Sequence, residues 1–154
     1  MSILALSGWG QPQDALASVA PGAEHFSYVD HSNVQDALAA LSLAAQGKET
    51  LIGWSLGGQL IVRAIAAGMV KPKRLVLIAA PERTLKKAWE LIVKDDQQEA
   101  RVRGYLQQQD SGEVLARNWK SWLDILEGFS CAGMDMSDFP PTLIFHGDKD
   151  VVIG

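Results

Sequence analysis

A chain of 154 residues fits one hydrophobic core, and 47% hydrophobic against 21% charged residues is the composition of a folded globular protein, not a disordered one. The net charge of −4, with no basic run, excludes the usual electrostatic footprint of a nucleic-acid or anionic-membrane partner. One cysteine, Cys131, rules out an internal disulfide; the Met1-Ser2 start lacks a basic leader and no apolar stretch approaches the about 20 residues of a membrane-spanning helix, so the cytoplasm is the expected compartment.

In chain order, Ile3 to Leu6 is a short apolar run stopped by Ser7-Gly8-Trp9-Gly10, which predicts a buried strand ending in a glycine-rich loop. Ala15 to Val19 adds a helical turn. Phe26 to Val29 reads as a second strand. Val34 to Ala45 places Val34, Ala37, Leu38, Leu41 and Ala45 at near-helical spacing, with Gly47 as the stop.

Thr50 to Trp54 is a third strand broken at Ser55, and Gln59 to Ala67 carries the small and aliphatic residues of a closely packed helix that Gly68 ends. Arg74 to Ala80 is a fourth strand, and Pro140 to Asp148 contains a fifth. Both are continuous apolar runs suited to a sheet covered on both faces. The alternation of strands and helices implies an α/β fold with a mostly parallel sheet flanked by helices.

Residues 81–139 change character. They are rich in Gln, Lys, Glu, Arg and Asp, with Trp89, Leu91, Val102, Leu106, Leu115, Trp119, Trp122 and Leu126 spaced for amphipathic helices. This segment reads as a helical lid inserted between a core portion, 1–80, and a return to the core at 140–154, all within one domain.

Chemistry concentrates at Gly53-Trp54-Ser55-Leu56-Gly57, a Gly-x-Ser-x-Gly sequence set between a predicted strand and a predicted helix. Such a turn is tight, so Gly53 and Gly57 stand where side chains would collide as strand and helix converge. It lifts the Ser55 hydroxyl above the sheet edge and aims the helix's first N–H groups and positive dipole end at the same point. Ser55 is therefore the candidate nucleophile, and the Leu56 backbone N–H a candidate oxyanion donor. A tight turn with an incidental serine is the bland reading, and the flanking Leu51-Ile52 and Leu60-Ile61 count against it.

The loop after the first strand supplies the second donor, for which the Trp9 backbone N–H is the candidate; an ordinary glycine-rich connection with Trp9 packed on the core is the alternative. His146-Gly147-Asp148-Lys149-Asp150 follows the fifth strand, where an α/β sheet assembles its site. Asp150 is the better candidate for the acid, with Asp148 bracing the turn. A serine hydroxyl needs a base, and the order serine, acid, histidine calls for a histidine after Asp150. His25, His31 and His146 all precede it. His146, at the end of a buried strand, is expected to be a satisfied polar group near the core.

These residues resemble the α/β-hydrolases, and among them the small carboxylesterases that include the pimeloyl-acyl carrier protein methyl ester esterases of biotin synthesis. Gly8-Trp9-Gly10 looks like the family's oxyanion loop, Gly53 to Gly58 like its elbow, and Gly147 to Asp150 like its acid loop. The resemblance covers nearly the whole chain. It implies Ser55 as nucleophile, Asp150 as acid, the Trp9 and Leu56 N–H groups as oxyanion hole, and the insertion as a lid shaping an acyl pocket. Three departures stand out: Ser7 replaces the usual histidine, the customary first two strands are absent before Ile3, and the last strand with its histidine is missing.

The expected activity is cleavage of a carboxylic ester or thioester through an acyl-enzyme, on a small acyl substrate either free or carried on acyl carrier protein, with no cofactor and no metal. A non-catalytic hydrolase-like binding protein or inactive fragment, and an acyltransferase using the same serine, are the competing readings.

Overall fold

A computed structural model of the chain describes residues 1–31, 33–80, 94–108 and 134–148. Among these residues, β1 (Ile3–Leu6), β2 (Glu24–His25), β3 (Thr50–Trp54), β4 (Arg74–Ile78) and β5 (Thr142–Phe145) form one sheet in the order β2-β1-β3-β4-β5. Every neighbouring pair is parallel. Parallel neighbours require crossovers, and α1 (Val34–Ala44) and α2 (Leu56–Ala66) provide the two flanking β3.

Side chains alternate across each strand, so a continuous apolar run feeds two layers. Leu4, Leu6, Leu51, Leu75 and Leu77 join Leu38 and Leu41 of α1 and Leu60, Ile61 and Ile65 of α2 in the larger core. Ala5 and Ile52 face the other way, with Ile3, Trp54, Val76 and Ile78, and are met by Leu16 and Ala20. Residues Ala15 to Val19 make this second layer as a chain of turns, joined by bonds such as Ala15 N–H to Pro12 O (3.0 Å) and Ala17 N–H to Asp14 O (2.8 Å), with one bond of helical span, Ala20 N–H to Leu16 O (2.9 Å). Both helices at the core thus lie on one face of the sheet.

Local signals bound both helices. Asn33 caps α1, its side-chain oxygen accepting from Asp36 N–H at 2.9 Å. Gly68, at φ +69°, ends α2 with Gly68 N–H bonded to Ile65 O (2.9 Å) and Met69 N–H to Ala64 O (2.9 Å), the paired bonds of a Schellman motif.

Other boundaries differ from the sequence reading. The second strand is two residues, Glu24–His25, and not Phe26 to Val29: after Phe26 N–H bonds Ala5 O (2.9 Å), the chain leaves the sheet and buries Tyr28 in the larger core. Helix α2 begins at Leu56 because the turn at Ser55 itself starts it. β4 stops at Ile78 because Ala79 takes φ +44°. β5 is not covered on both faces. Among the described residues it pairs on one side only, with β4, and Leu143, Ile144 and Phe145 are more than half exposed because no described layer packs over them.

Within the expected insertion, the described helix is α3 (Asp96–Gln107), started by Asp95, whose carboxylate accepts from Gln98 N–H at 2.8 Å. It is polar nearly all round, Val102 being half-buried, and carries the Glu99–Arg103 pair at 3.0 Å. Gly104 sits in its interior with nothing among the described residues within 4 Å of a β-carbon placed there. Gly104→Ala is therefore expected to stabilise the protein by up to about 1 kcal/mol, through reduced backbone entropy in the unfolded chain. A calorimetric melt that falls instead of rising would contradict this.

Candidate active site

β3 delivers the chain to Ser55, whose N–H makes the last sheet bond, to Ile78 O at 2.8 Å. Ser55 then takes φ +51°, ψ −118°, a conformation that costs a non-glycine residue about 1–3 kcal/mol. Its carbonyl accepts Gln59 N–H (3.1 Å) and so opens α2, while its hydroxyl makes no capping hydrogen bond. A serine at a helix start ordinarily spends its hydroxyl on the cap; here the strained turn keeps it off the helix. The first N–H groups of α2, beginning with Leu56, have no acceptor within the helix, so a positive end faces the turn.

The glycines have the steric role read from the sequence. A β-carbon on Gly53 would strike Gly58 Cα and lie 2.6 Å from Gly58 N. One on Gly57 would lie 2.6 Å from both Leu6 O and Ser7 O. A third glycine is equally constrained: a β-carbon on Gly58 would meet the Ala80 methyl at 2.6 Å. The strained Ala79, whose N–H bonds Phe145 O at 2.7 Å, turns Ala80 onto α2 at that point.

The loop after β1 reaches the same place. Gly8 lies against the turn, its β-carbon position 3.5 Å from Ser55 Cβ and from Trp54 Cδ2. Gly10 adopts φ +73°, and Trp9 packs half-buried on the larger core. Ser7 Oγ donates to Gln13 O (2.9 Å), and the Tyr28 hydroxyl donates to Ser7 O (3.2 Å). The structure thus brings Ser7 and Gly8 against the Ser55 turn, with buried Leu56 following.

Asp150 lies outside the described residues. Asp148 and His146 follow β5, on the far side of β4 from Ser55, and both are exposed; His146 is not near the core, because the strand it ends is itself at the sheet edge. His25 sits on the opposite edge strand, and His31 stacks on Phe26 with ring centroids 6.2 Å apart. Among the described residues no histidine is hydrogen-bonded to Ser55.

No family profile matches the sequence, and no curated protein does. Solved structures do match by fold. A hydrolase from Oleispira antarctica superposes with a TM-score of 0.67 at 15% identity, over 99% of this chain and 74% of that one. An alpha/beta hydrolase from Sphaerobacter thermophilus gives 0.60 at 16%, over 93% and 73%. The NocB thioesterase domain, solved as a covalent complex with a fluorophosphonate nocardicin G analogue, gives 0.55 at 11%, over 93% and 82%. The chain has the α/β-hydrolase fold.

In an α/β-hydrolase fold, as in open α/β sheets generally, ligands gather beyond the carboxyl ends of the strands. Ser55, the Ser7–Gly10 loop and Asp148 all stand there, after β3, β1 and β5. No helix among the described residues is long and apolar enough to cross a membrane.

Sequence reasoning placed Gly58 in the elbow without a steric role for it, and missed Tyr28 and Ala79, which are tertiary facts. Burial pushes the Tyr28 phenol far above its ordinary value. A raised folded-state pKa leaves stability intact below the unfolded value, near 10, and erodes it above, because the unfolded chain then sheds a proton that the fold retains. Stability is expected to fall above about pH 10, by up to about 1.4 kcal/mol per pH unit from this group, and the melting temperature with it. Tyr28→Phe should flatten that slope in pH-dependent unfolding curves; an unchanged slope would assign the alkaline loss elsewhere.

Proposed function

We propose that the protein is a serine hydrolase of carboxylic esters or thioesters, with Ser55 as nucleophile. One observation carries this reading: Ser55 is held in strained backbone geometry between a parallel strand and a helix, with its hydroxyl withheld from the cap. A strained residue of this kind persists only where its surroundings over-determine it, as three close-packed glycines do here.

In the reaction, Ser55 Oγ forms a bond to the acyl carbon while a base takes its proton. The carbonyl oxygen becomes an oxyanion facing the Leu56 and Trp9 N–H groups. Collapse expels the alcohol or thiol, which receives the proton, and water then cleaves the acyl-enzyme. The acid that orients the base is Asp150 in this reading. The acyl group is carried as a simple ester or on an acyl carrier protein, the latter as in the esterases of biotin synthesis that the sequence resembles; the likeness to a thioesterase domain accords with a thioester.

The test is direct. A fluorophosphonate probe should label the protein at Ser55, located by tryptic mass spectrometry, and short p-nitrophenyl esters should be hydrolysed. With an imidazole as base, kcat/KM rises with pH through an apparent pKa near 6.5. A protein that takes up no probe and cleaves neither p-nitrophenyl nor acyl-thioester substrates is not this enzyme.

A further inference from the structure

We infer that Tyr28 is a positioning residue for the oxyanion loop, fixing the Ser7–Gly8 peptide against the Ser55 turn. The inference rests on the serine-hydrolase reading and names a residue that acts through Ser7, without touching substrate.

Two peptide groups flank Gly8, and each is planar, so tying its carbonyl to one side sets its N–H on the other. The Ser7 carbonyl is held by the Tyr28 hydroxyl at 3.2 Å, and the Gly8 carbonyl by Gln11 N–H at 3.2 Å. Planarity then sets the Gly8 N–H opposite the Ser7 carbonyl and the Trp9 N–H opposite the Gly8 carbonyl. The Ser7 carbonyl also lies where a β-carbon on Gly57 would touch it, so it is confined between the first turn of α2 and the phenol. Ser7 Oγ completes the clamp by donating to Gln13 O (2.9 Å), and Gln13 Nε2 in turn donates to His25 O on β2 (2.7 Å). The loop is thus anchored at its root by the core and at its side by the edge strand.

Tyr28 suits this task. It is 2% exposed and packed in the larger core, so its ring has no freedom to swing. Burial also keeps the phenol protonated well beyond neutral pH, so it remains a donor throughout the working range. It reaches Ser7 from 21 residues away in the chain.

The experiment compares wild type, Tyr28→Phe, Ser7→Ala and Leu41→Val as full-length proteins in p-nitrophenyl butyrate hydrolysis. Tyr28→Phe keeps the buried ring and removes only the hydroxyl. It should lower kcat about tenfold with KM within about twofold, because a displaced oxyanion donor costs rate and not ground-state binding. Ser7→Ala, which removes the second tie, should lower kcat by about threefold, again at constant KM; it carries the test should Tyr28→Phe fail to fold. Leu41→Val, a core change on α1, should lose melting temperature and keep its kcat. Tyr28→Phe with wild-type kcat, or a kcat loss matched by Leu41→Val at equal loss of melting temperature, overturns the positioning role alone. A wild type that neither hydrolyses the ester nor labels with fluorophosphonate overturns the hydrolase reading, and this role with it.

Discussion

Ser55→Ala should abolish fluorophosphonate labelling and lower ester hydrolysis by about 10⁴–10⁶-fold, the scale on which triad hydrolases lose rate when the nucleophile is removed. The size follows from what is lost. An oxyanion hole can stabilise charge on the carbonyl oxygen, but without Oγ no acyl-enzyme forms, and only slow direct attack by water remains. The same position offers a second readout. Serine and alanine are both strained at the φ of +51° found there, whereas glycine tolerates that geometry, so Ser55→Gly should be as inactive as Ser55→Ala and more stable by about 1–3 kcal/mol. Loss of activity with a gain in melting temperature separates a functional strain from general damage. Retained esterase activity in Ser55→Ala would remove the basis of the functional proposal.

Gly57→Ala and Gly53→Ala should each destabilise the protein by about 3 kcal/mol or more, lowering the melting temperature by about 6–12 °C or preventing folding. The magnitude comes from what the new methyl would meet. At Gly57 it is two carbonyl oxygens, Leu6 O and Ser7 O, both at 2.6 Å; at Gly53 it is the backbone of Gly57 and Gly58. None of these is the end of a flexible side chain, so relief requires β1 or β3 to separate from α2. The larger core is built across that junction, from Leu6 and Leu51 to Leu60 and Ile61. Gly8→Ala provides the contrast, since its β-carbon would meet nothing nearer than 3.5 Å, and it should cost within about 1 kcal/mol. Equal melting temperatures for Gly57→Ala and Gly8→Ala would refute the steric account.

The sequence by itself determined the alternation of strands and helices and the place of the serine turn. These are written in short-range terms: apolar runs for buried strands, helical spacing, and glycines at the stops. Thr50–Trp54 has the same bounds in sequence and structure for that reason. The motif around Ser55 was legible because its constraint is local, a reversal of direction within a few residues.

Only the tertiary structure decided the rest. That Gly8 lies against Ser55, that Gly57 must clear Ser7 O, and that Gly58 must clear Ala80 depend on β1 and β4 standing on either side of β3. No periodicity announces the Tyr28–Ser7 bond, because it joins residues that the fold, and not the chain, makes neighbours. Phe26 to Val29 has the composition of a strand, yet burial of Tyr28 beneath the Ser7–Gly10 loop draws it out of the sheet. β5 has the composition of a covered strand and lies exposed, because composition records what a segment would bury and the neighbours alone decide what it does bury.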